Sequence, residues 1–210
     1  MESRLVGLLL AAGSSRRMGE GRLKQLLPLG GRPVLSRCLE TLGAAGLAQT
    51  VVVLAPGIDA RAALDGFAVT VAVNPAAGGE MADSVRSGLC AVEAGATGVL
   101  VALADHPLVA AESVRALAAA HRARPECIHI PAHRGRRGHP VVFPASFLRE
   151  VLAGATMRGV RDAHMGEVRE CPVEDPGVLF DMDRWEDYEA ACAQLACAAA
   201  APARARGAHA

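Results

Sequence analysis

Of the 22 basic side chains in this 210-residue chain only Lys24 is a lysine; all the others are arginine. A compact ammonium on a flexible stem does chemistry that a planar guanidinium does not, so its retention at one place marks Lys24 as a candidate. Upstream of it, directly after an apolar run, lies the turn Ala11-Ala12-Gly13-Ser14-Ser15-Arg16-Arg17-Met18-Gly19. Side chains as small as Ala11, Ala12, Gly13 and Ser15 let backbone N–H groups approach a phosphate, and Arg17 and Lys24 supply the charge to neutralise a triphosphate. Neither the GxxxxGK[ST] nor the GxGxxG spacing is present, so this is neither a Walker A loop nor a dinucleotide loop.

Three further groups could complete a site. Asp105 follows the run Val99 to Ala104, and a carboxylate at the end of a buried strand is expensive unless a cation or hydrogen bonds hold it. Metal binding or helix capping must explain it; His106 beside it reads as a packing or turn residue. Asp181 and Asp183 stand two apart in an apolar segment read as a strand, which puts both carboxylates on one side and suits a divalent cation. Asp183 could equally cap the last helix. Asn74, the only asparagine, opens a glycine-containing stretch through Gly88, where a polar side chain at a helix start could read a base edge. Capping by Asp83 or Ser84 is the competing use. Arg134, Arg136 and Arg137 could receive an anion or form a solvated turn.

Such residues act together only if the fold gathers them. The apolar runs Leu5 to Ala12, Thr50 to Ala55, Val69 to Asn74, Val99 to Ala104 and Cys127 to Pro131 have the length and β-branched content of strands buried on both faces. Between them Val34 to Ala45, Asp59 to Leu64, Ala82 to Glu93 and Glu112 to Arg124 have helical spacing. This rhythm predicts an α/β fold with a mainly parallel sheet and right-handed crossovers, in which ligands sit beyond the carboxyl ends of the strands. After Pro131 the pattern predicts a smaller elaboration: a basic loop at His133 to Gly138, strands at Pro140 to Phe143, Val168 to Val173 and Val178 to Met182, and helices at Ala145 to Leu152 and Met157 to His164. A last helix is predicted from near Arg184 through Leu195, within a single domain spanning 1–197, followed by an Ala/Arg-rich flexible tail over 198–210.

The 22 acidic residues balance the basic ones, and 51% of residues are hydrophobic. A neutral, apolar chain of this length fits neither a disordered protein nor one that binds nucleic acid over a broad basic face. The first apolar run is far short of the roughly 20 residues that cross a bilayer, and its flanks make a poor secretion signal, so the protein reads as cytoplasmic. The six cysteines include no CxxC pair and read as reduced thiols.

Leu10-Ala-Ala-Gly-Ser-Ser-Arg-Arg-Met-Gly19 with Lys24-Gln25-Leu26-Leu27-Pro28-Leu29 resembles the signature loop of the nucleotidyltransferases, in particular their molybdenum cofactor cytidylyltransferase branch, whose pattern is LAAGxSxRMGxxK. Glu20-Gly21-Arg22-Leu23 makes the spacing to Lys24 two residues longer than is commonest. Asn74 to Gly88 is similar to the family's GMxxSLxxG segment, which implies that Gly79, Met81 and Ser84 line the base pocket. Asp105-His-Pro-Leu-Val109 matches a D-x-P-x-V element whose aspartate coordinates Mg²⁺. Asp181-Met-Asp183-Arg-Trp-Glu-Asp-Tyr188 looks like DIDTPEDY with Arg184-Trp185 in place of Thr-Pro, implying metal at Asp181, with Asp183 second. Gly138-His139-Pro140-Val141 resembles G-[HN]-P-V beside the acceptor, which puts His139 and Arg137 at an acceptor site.

The resemblance implies a Rossmann-like three-layer α/β/α fold with a small antiparallel elaboration. It also implies a reaction in which an acceptor phosphate attacks the α-phosphorus of a nucleoside triphosphate and pyrophosphate leaves. Arg17 and Lys24 would hold the β- and γ-phosphates, with Mg²⁺ on Asp105 and Asp181. The implied substrates are CTP and molybdopterin, and the implied recipient of the product is a molybdenum hydroxylase. Another triphosphate or phosphorylated acceptor is the nearest alternative. A nucleotide-sugar-dependent glycosyltransferase, for which Asp181-Met-Asp183 would be a DxD motif, and a catalytically silent nucleotide-binding protein are the others.

Overall fold

The computed structural model describes residues 3–19, 21–76 and 80–200. Its strands are β1 (Leu5–Leu10), β2 (Pro28–Leu29), β3 (Arg32–Pro33), β4 (Gln49–Leu54), β5 (Thr70–Val73), β6 (Gly98–Leu103), β7 (Ile128–His133), β8 (Arg136–Arg137), β9 (Val141–Pro144) and β10 (Val168–Pro172). Its helices are α1 (Val34–Gly43), α2 (Arg61–Leu64), α3 (Met81–Leu89), α4 (Ala111–Ala123), α5 (Ala145–Leu152), α6 (Met157–Ala163) and α7 (Trp185–Ala200). The main sheet runs β10-β7-β9-β6-β1-β4-β5, with β8 added to β7. Strands β1, β4, β5 and β6 pair in parallel, while β9 is antiparallel to both β6 and β7.

Alternation along β1 builds two cores. Leu5 and Leu9 face the α1 and α4 side with Leu35, Leu42 and Leu117, and Val6, Leu8 and Leu10 face the other with Val85, Phe143 and Val151. The result is the expected three-layer arrangement, sheet between helices. Helix α3 lies close enough on the sheet that a Cβ at Gly88 would overlap Leu8 and Val53, so glycine is what allows its last turn to pack against β1 and β4. Among the described residues no helix is long and apolar enough to cross a membrane, and all six cysteines are unpaired.

The structure departs from expectation in four places. Strand β5 is the sheet edge and is not buried on both faces: Val71 and Val73 are 46% and 54% exposed. Val178 to Met182 is not a strand. A 3-10 turn over Pro176–Leu179 begins it, and its backbone is spent on single bonds to loops, Val178 accepting from the His139 N–H at 2.8 Å and Met182 donating to the Asp105 carbonyl at 2.8 Å. The last helix continues beyond Leu195 to Ala200; the tail from 201 lies outside the described residues. Finally, β2 and β3 form an unforeseen hairpin around Gly30 and Gly31, whose φ values of 61° and 82° suit a two-residue turn. Its Leu29, with Val34 at the start of α1, packs with Met182 and Ala191, anchoring α7.

Candidate active site

The small-residue turn leaves β1 at the carboxyl edge of the sheet and is closed by two buried side chains. Ser15 adopts the left-handed conformation, with φ 53°, and its hydroxyl accepts from the Lys24 N–H at 2.9 Å while donating to Gln25 Oε1 at 3.3 Å. The Gln25 amide donates to the carbonyls of Ala11 and Gly13 at 3.1 and 3.4 Å. Ser15 and Ala11, expected among the nucleotide contacts, thus shape the loop from within. Gln25, invisible as a functional residue in sequence, is what holds the loop to Lys24.

That closure delivers Lys24 between two carboxylates. Its Nζ donates to Asp105 Oδ2 at 2.8 Å and to Asp183 Oδ1 at 2.9 Å, and Arg17 Nη1 takes the other Asp183 oxygen at 2.7 Å. Burial alone pushes the Lys24 ammonium down, but Asp105 and Asp183 together reverse this and hold it above its ordinary value. The Lys24 hydrogen bond, with Arg17 in support and against the effect of burial, keeps Asp183 below the usual carboxylate range. Four residues from three distant parts of the chain therefore form one charge network.

Asp183 does not cap the last helix. Asp187 does so instead, accepting from the N–H groups of Asp183 and Arg184 at 3.0 and 2.7 Å, and this frees the Asp183 carboxylate to face Lys24. Asp181 is exposed and makes no hydrogen bond or ion pair with a described residue; its charge is felt at His139. Burial pushes His106 below its ordinary value and His139 down to about 4, so both rings are neutral near pH 7. They pack with centroids 5.0 Å apart.

A divalent cation fits these residues in one respect that the structure makes plain: Asp105 Oδ1 is buried with no hydrogen-bond partner, an arrangement that is costly unless a cation completes it. Among the described residues no three His, Cys, Asp or Glu side chains cluster closely enough to hold a metal by themselves. The donor set therefore suits an ion such as Mg²⁺, which takes one or two carboxylates and draws its remaining oxygens from phosphates and water.

Two clefts flank the network. One, of about 270 Å³, is lined by Ala12, Gly13, Arg16, Asn74, Met81, Ser84 and Asp105. Asn74 and Ser84 are buried there and bonded to each other at 3.0 Å. Gly79 falls outside the described residues. The other, also about 270 Å³, contains His139 and Arg137 together with Arg158 and Arg161 of α6, over Val101, Ile130, Phe143 and Met157. Met81 and Leu103 line both clefts, so the two adjoin. Arg158 and Arg161 were not anticipated; the available signal was two arginines three apart on one short helix face.

Comparison with known proteins shows the family and the fold. Residues 7–169 match the model of the MobA-like NTP transferase domain. The chain is 38% identical over 151 residues to a 2-C-methyl-D-erythritol 4-phosphate cytidylyltransferase of Frankia casuarinae, covering 71% of this chain but only 50% of that relative. It is 35% identical over 159 residues to the nicotine blue oxidoreductase of Paenarthrobacter nicotinovorans, covering 71% of this chain and 74% of the relative. The crystal structure of Rv0371c from Mycobacterium tuberculosis H37Rv is 31% identical, superposes with a TM-score of 0.79 and covers 92% of this chain and 99% of that one. The same mycobacterial protein has also been solved as a manganese complex, at 29% identity and a TM-score of 0.73, covering 91% of this chain and 99% of that one. The chain belongs to the MobA-like NTP transferase family of nucleotidyltransferases.

Proposed function

We propose that the protein is a Mg²⁺-dependent cytidylyltransferase that transfers CMP from CTP to the phosphate of molybdopterin, or of the molybdenum cofactor, with release of pyrophosphate. The observation that carries this reading is the partly buried Lys24 ammonium set between Asp105 and Asp183, the former lining a cleft with small residues. An acceptor phosphate is already ionised, so the reaction needs no general base, and the protein's task is to position and to neutralise charge. Arg17 and Lys24 hold the β- and γ-phosphates and stabilise the departing pyrophosphate. Ala12 and Gly13 allow the backbone to approach the phosphates, and Met81 and Ser84, with Gly79, bound the base. Asp105, with Asp183 or Asp181, would hold Mg²⁺, which supplies charge neutralisation at the α-phosphate when bound.

The second cleft is the acceptor site of this reading, with His139 at its inner wall and Arg137, Arg158 and Arg161 to meet an anion. Relatives named as methylerythritol phosphate cytidylyltransferases support CTP as donor and raise a polyol phosphate as the other acceptor. Among the described residues, however, the cleft offers no carboxylate, amide or hydroxyl side chain. The polar edge of a pterin and the hydroxyls of a polyol both need hydrogen-bond partners once desolvated, so what supports the pterin is the set of Phe143, Met157 and arginine faces on which a flat ring can stack. A molybdenum hydroxylase in the cytoplasm is the recipient this product implies.

Calorimetric titration with CTP, GTP, ATP and UTP in Mg²⁺, repeated on Arg17→Ala, tests the donor half without the acceptor. Selective CTP binding weakened by the substitution supports the reading. Preference for another triphosphate keeps the reaction and changes the product; absence of binding to any of them by a folded protein rules the reaction out.

A further inference from the structure

The segment leading into Lys24 is held at its far end by the Ser15 and Gln25 bonds and, ahead of Lys24, by a contact with the last helix. The guanidinium carbon of Arg22 lies 4.2 Å from the centre of the Trp185 ring, and Arg22 Nη1 reaches back to the Met18 carbonyl at 3.5 Å. Trp185 is itself held: its indole N–H donates to Glu189 at 2.9 Å, its ring packs 4.8 Å from that of Tyr188, and the Tyr188 hydroxyl donates to the Pro28 carbonyl at 2.6 Å. The stack thus ties Gly21–Lys24 to the first turn of α7 and, through Tyr188, to the β2–β3 hairpin.

Its position gives it leverage over the site. Arg22 precedes Lys24 by two residues and Trp185 follows Asp183 by two, so the stack runs alongside the Lys24 and Asp183 ion pair and joins the same two chain segments. Gly19 and Gly21, with φ 93° and 72°, bend the backbone on the approach, and the Arg22 N–H donates to the Gly19 carbonyl at 3.4 Å. These are also two of the places where the chain departs from the pattern it resembles: the longer spacing before Lys24, and Arg184-Trp185 where Thr-Pro is usual. The structure brings one departure into contact with the other.

We propose that the Arg22–Trp185 stack is a clasp that fixes the lengthened segment so that Lys24 meets the triphosphate, making both residues positioning residues that touch no reacting atom. The effect on substrate rests on the nucleotidyltransferase reading. The contact is an exposed cation held over a half-buried indole, for which about a 2- to 5-fold change in binding is expected on its loss.

Trp185 is the only tryptophan in the chain, so its emission reports the stack directly. Arg22 is on the surface, and Arg22→Ala should alter Trp185 emission in the protein without nucleotide while leaving the fold intact; Arg22→Lys should restore most of the signal. In calorimetric titrations with CTP and Mg²⁺, Arg22→Ala and Trp185→Phe should each weaken binding about 2- to 5-fold, Arg22→Lys should recover it, and the double variant should be no weaker than the weaker single one. Additive losses, or binding equal in all variants, overturn the clasp and leave the proposed reaction standing. A folded protein that binds no triphosphate overturns both, and emission unchanged in Arg22→Ala overturns the contact itself.

Discussion

The Asn74 amide donates to the Ser84 hydroxyl at 3.0 Å, linking the end of β5 to the second turn of α3 beneath the floor of the nucleotide cleft. Asn74 Oδ1 also accepts from the Ala76 N–H at 3.0 Å, so the side chain sets both the loop after β5 and the orientation of Ser84. Asn74→Ala leaves the buried Ser84 hydroxyl without this partner and should lower stability by about 1–3 kcal/mol. Denaturant melts measure that loss, and triphosphate titration should show weaker base discrimination in the same variant.

Lys24 is the cation that the network cannot replace. Lys24→Ala should reduce pyrophosphate release by about 10²- to 10³-fold, as for loss of one preorganised donor, while the protein still melts cooperatively. An unchanged rate would remove Lys24 from the mechanism.

Arg158 and Arg161 were placed in the acceptor cleft by the fold alone. On the proposed reading, Arg158→Ala should raise the acceptor KM about 10-fold, the scale of one charge-assisted hydrogen bond, with CTP binding unchanged. Steady-state assays varying each substrate in turn separate the two effects.

His121 is fully buried under Gly98 and bonded to Thr97 Oγ1 at 3.0 Å. Burial, with His129 nearby, pushes it down to about 4 from an ordinary value of 6.5. Between these values the unfolded chain binds the extra proton, so the stabilisation is complete above about pH 6.5 and is lost as pH falls toward 4. The slope for one such group is at most about 1.4 kcal/mol per pH unit. Urea melts at pH 7 and pH 5 should show this loss, with His139 acting in the same direction, and His121→Gln should shrink the difference between the two pH values.

Asp175 caps a helix from a distance. Helix α4 has no capping side chain of its own, and Asp175 accepts from the Ala110 N–H at 2.8 Å, the Ser113 hydroxyl at 2.7 Å and the Gly177 N–H at 2.8 Å. Asp175→Ala should cost about 2–4 kcal/mol, because three donors lose a charged acceptor in a buried place. Thermal melts should register this in full, with nucleotide affinity per folded molecule unchanged.

The central strands were legible because β1, β4 and β6 are long apolar runs whose burial leaves no choice of face. Lys24 stood out as the one lysine and Asp105 because strand ends are where ligands gather, whereas Asp183 was singled out, behind Asp181, on a strand that does not form. What escaped depends on contacts between distant segments. Val178 to Met182 is apolar enough for a strand, but its N–H and carbonyl groups were already claimed by His139 and Asp105. The role of Gln25 lies in a bond across the loop, and that of Asp175 in a helix 62 residues away. No periodicity records such bonds.

The resting network also says how the site should fill. The charges on Arg17 and Lys24 that a triphosphate would claim are already matched by carboxylates of Asp105 and Asp183, the same carboxylates that suit a divalent cation. On the proposed reading the anion must part these pairs, and in doing so it releases the carboxylates at the moment they gain a use. Metal and nucleotide are then heterotropic ligands of one another, each tightening the other by the same factor. The chain's own counter-ions hold the place of both until they arrive together.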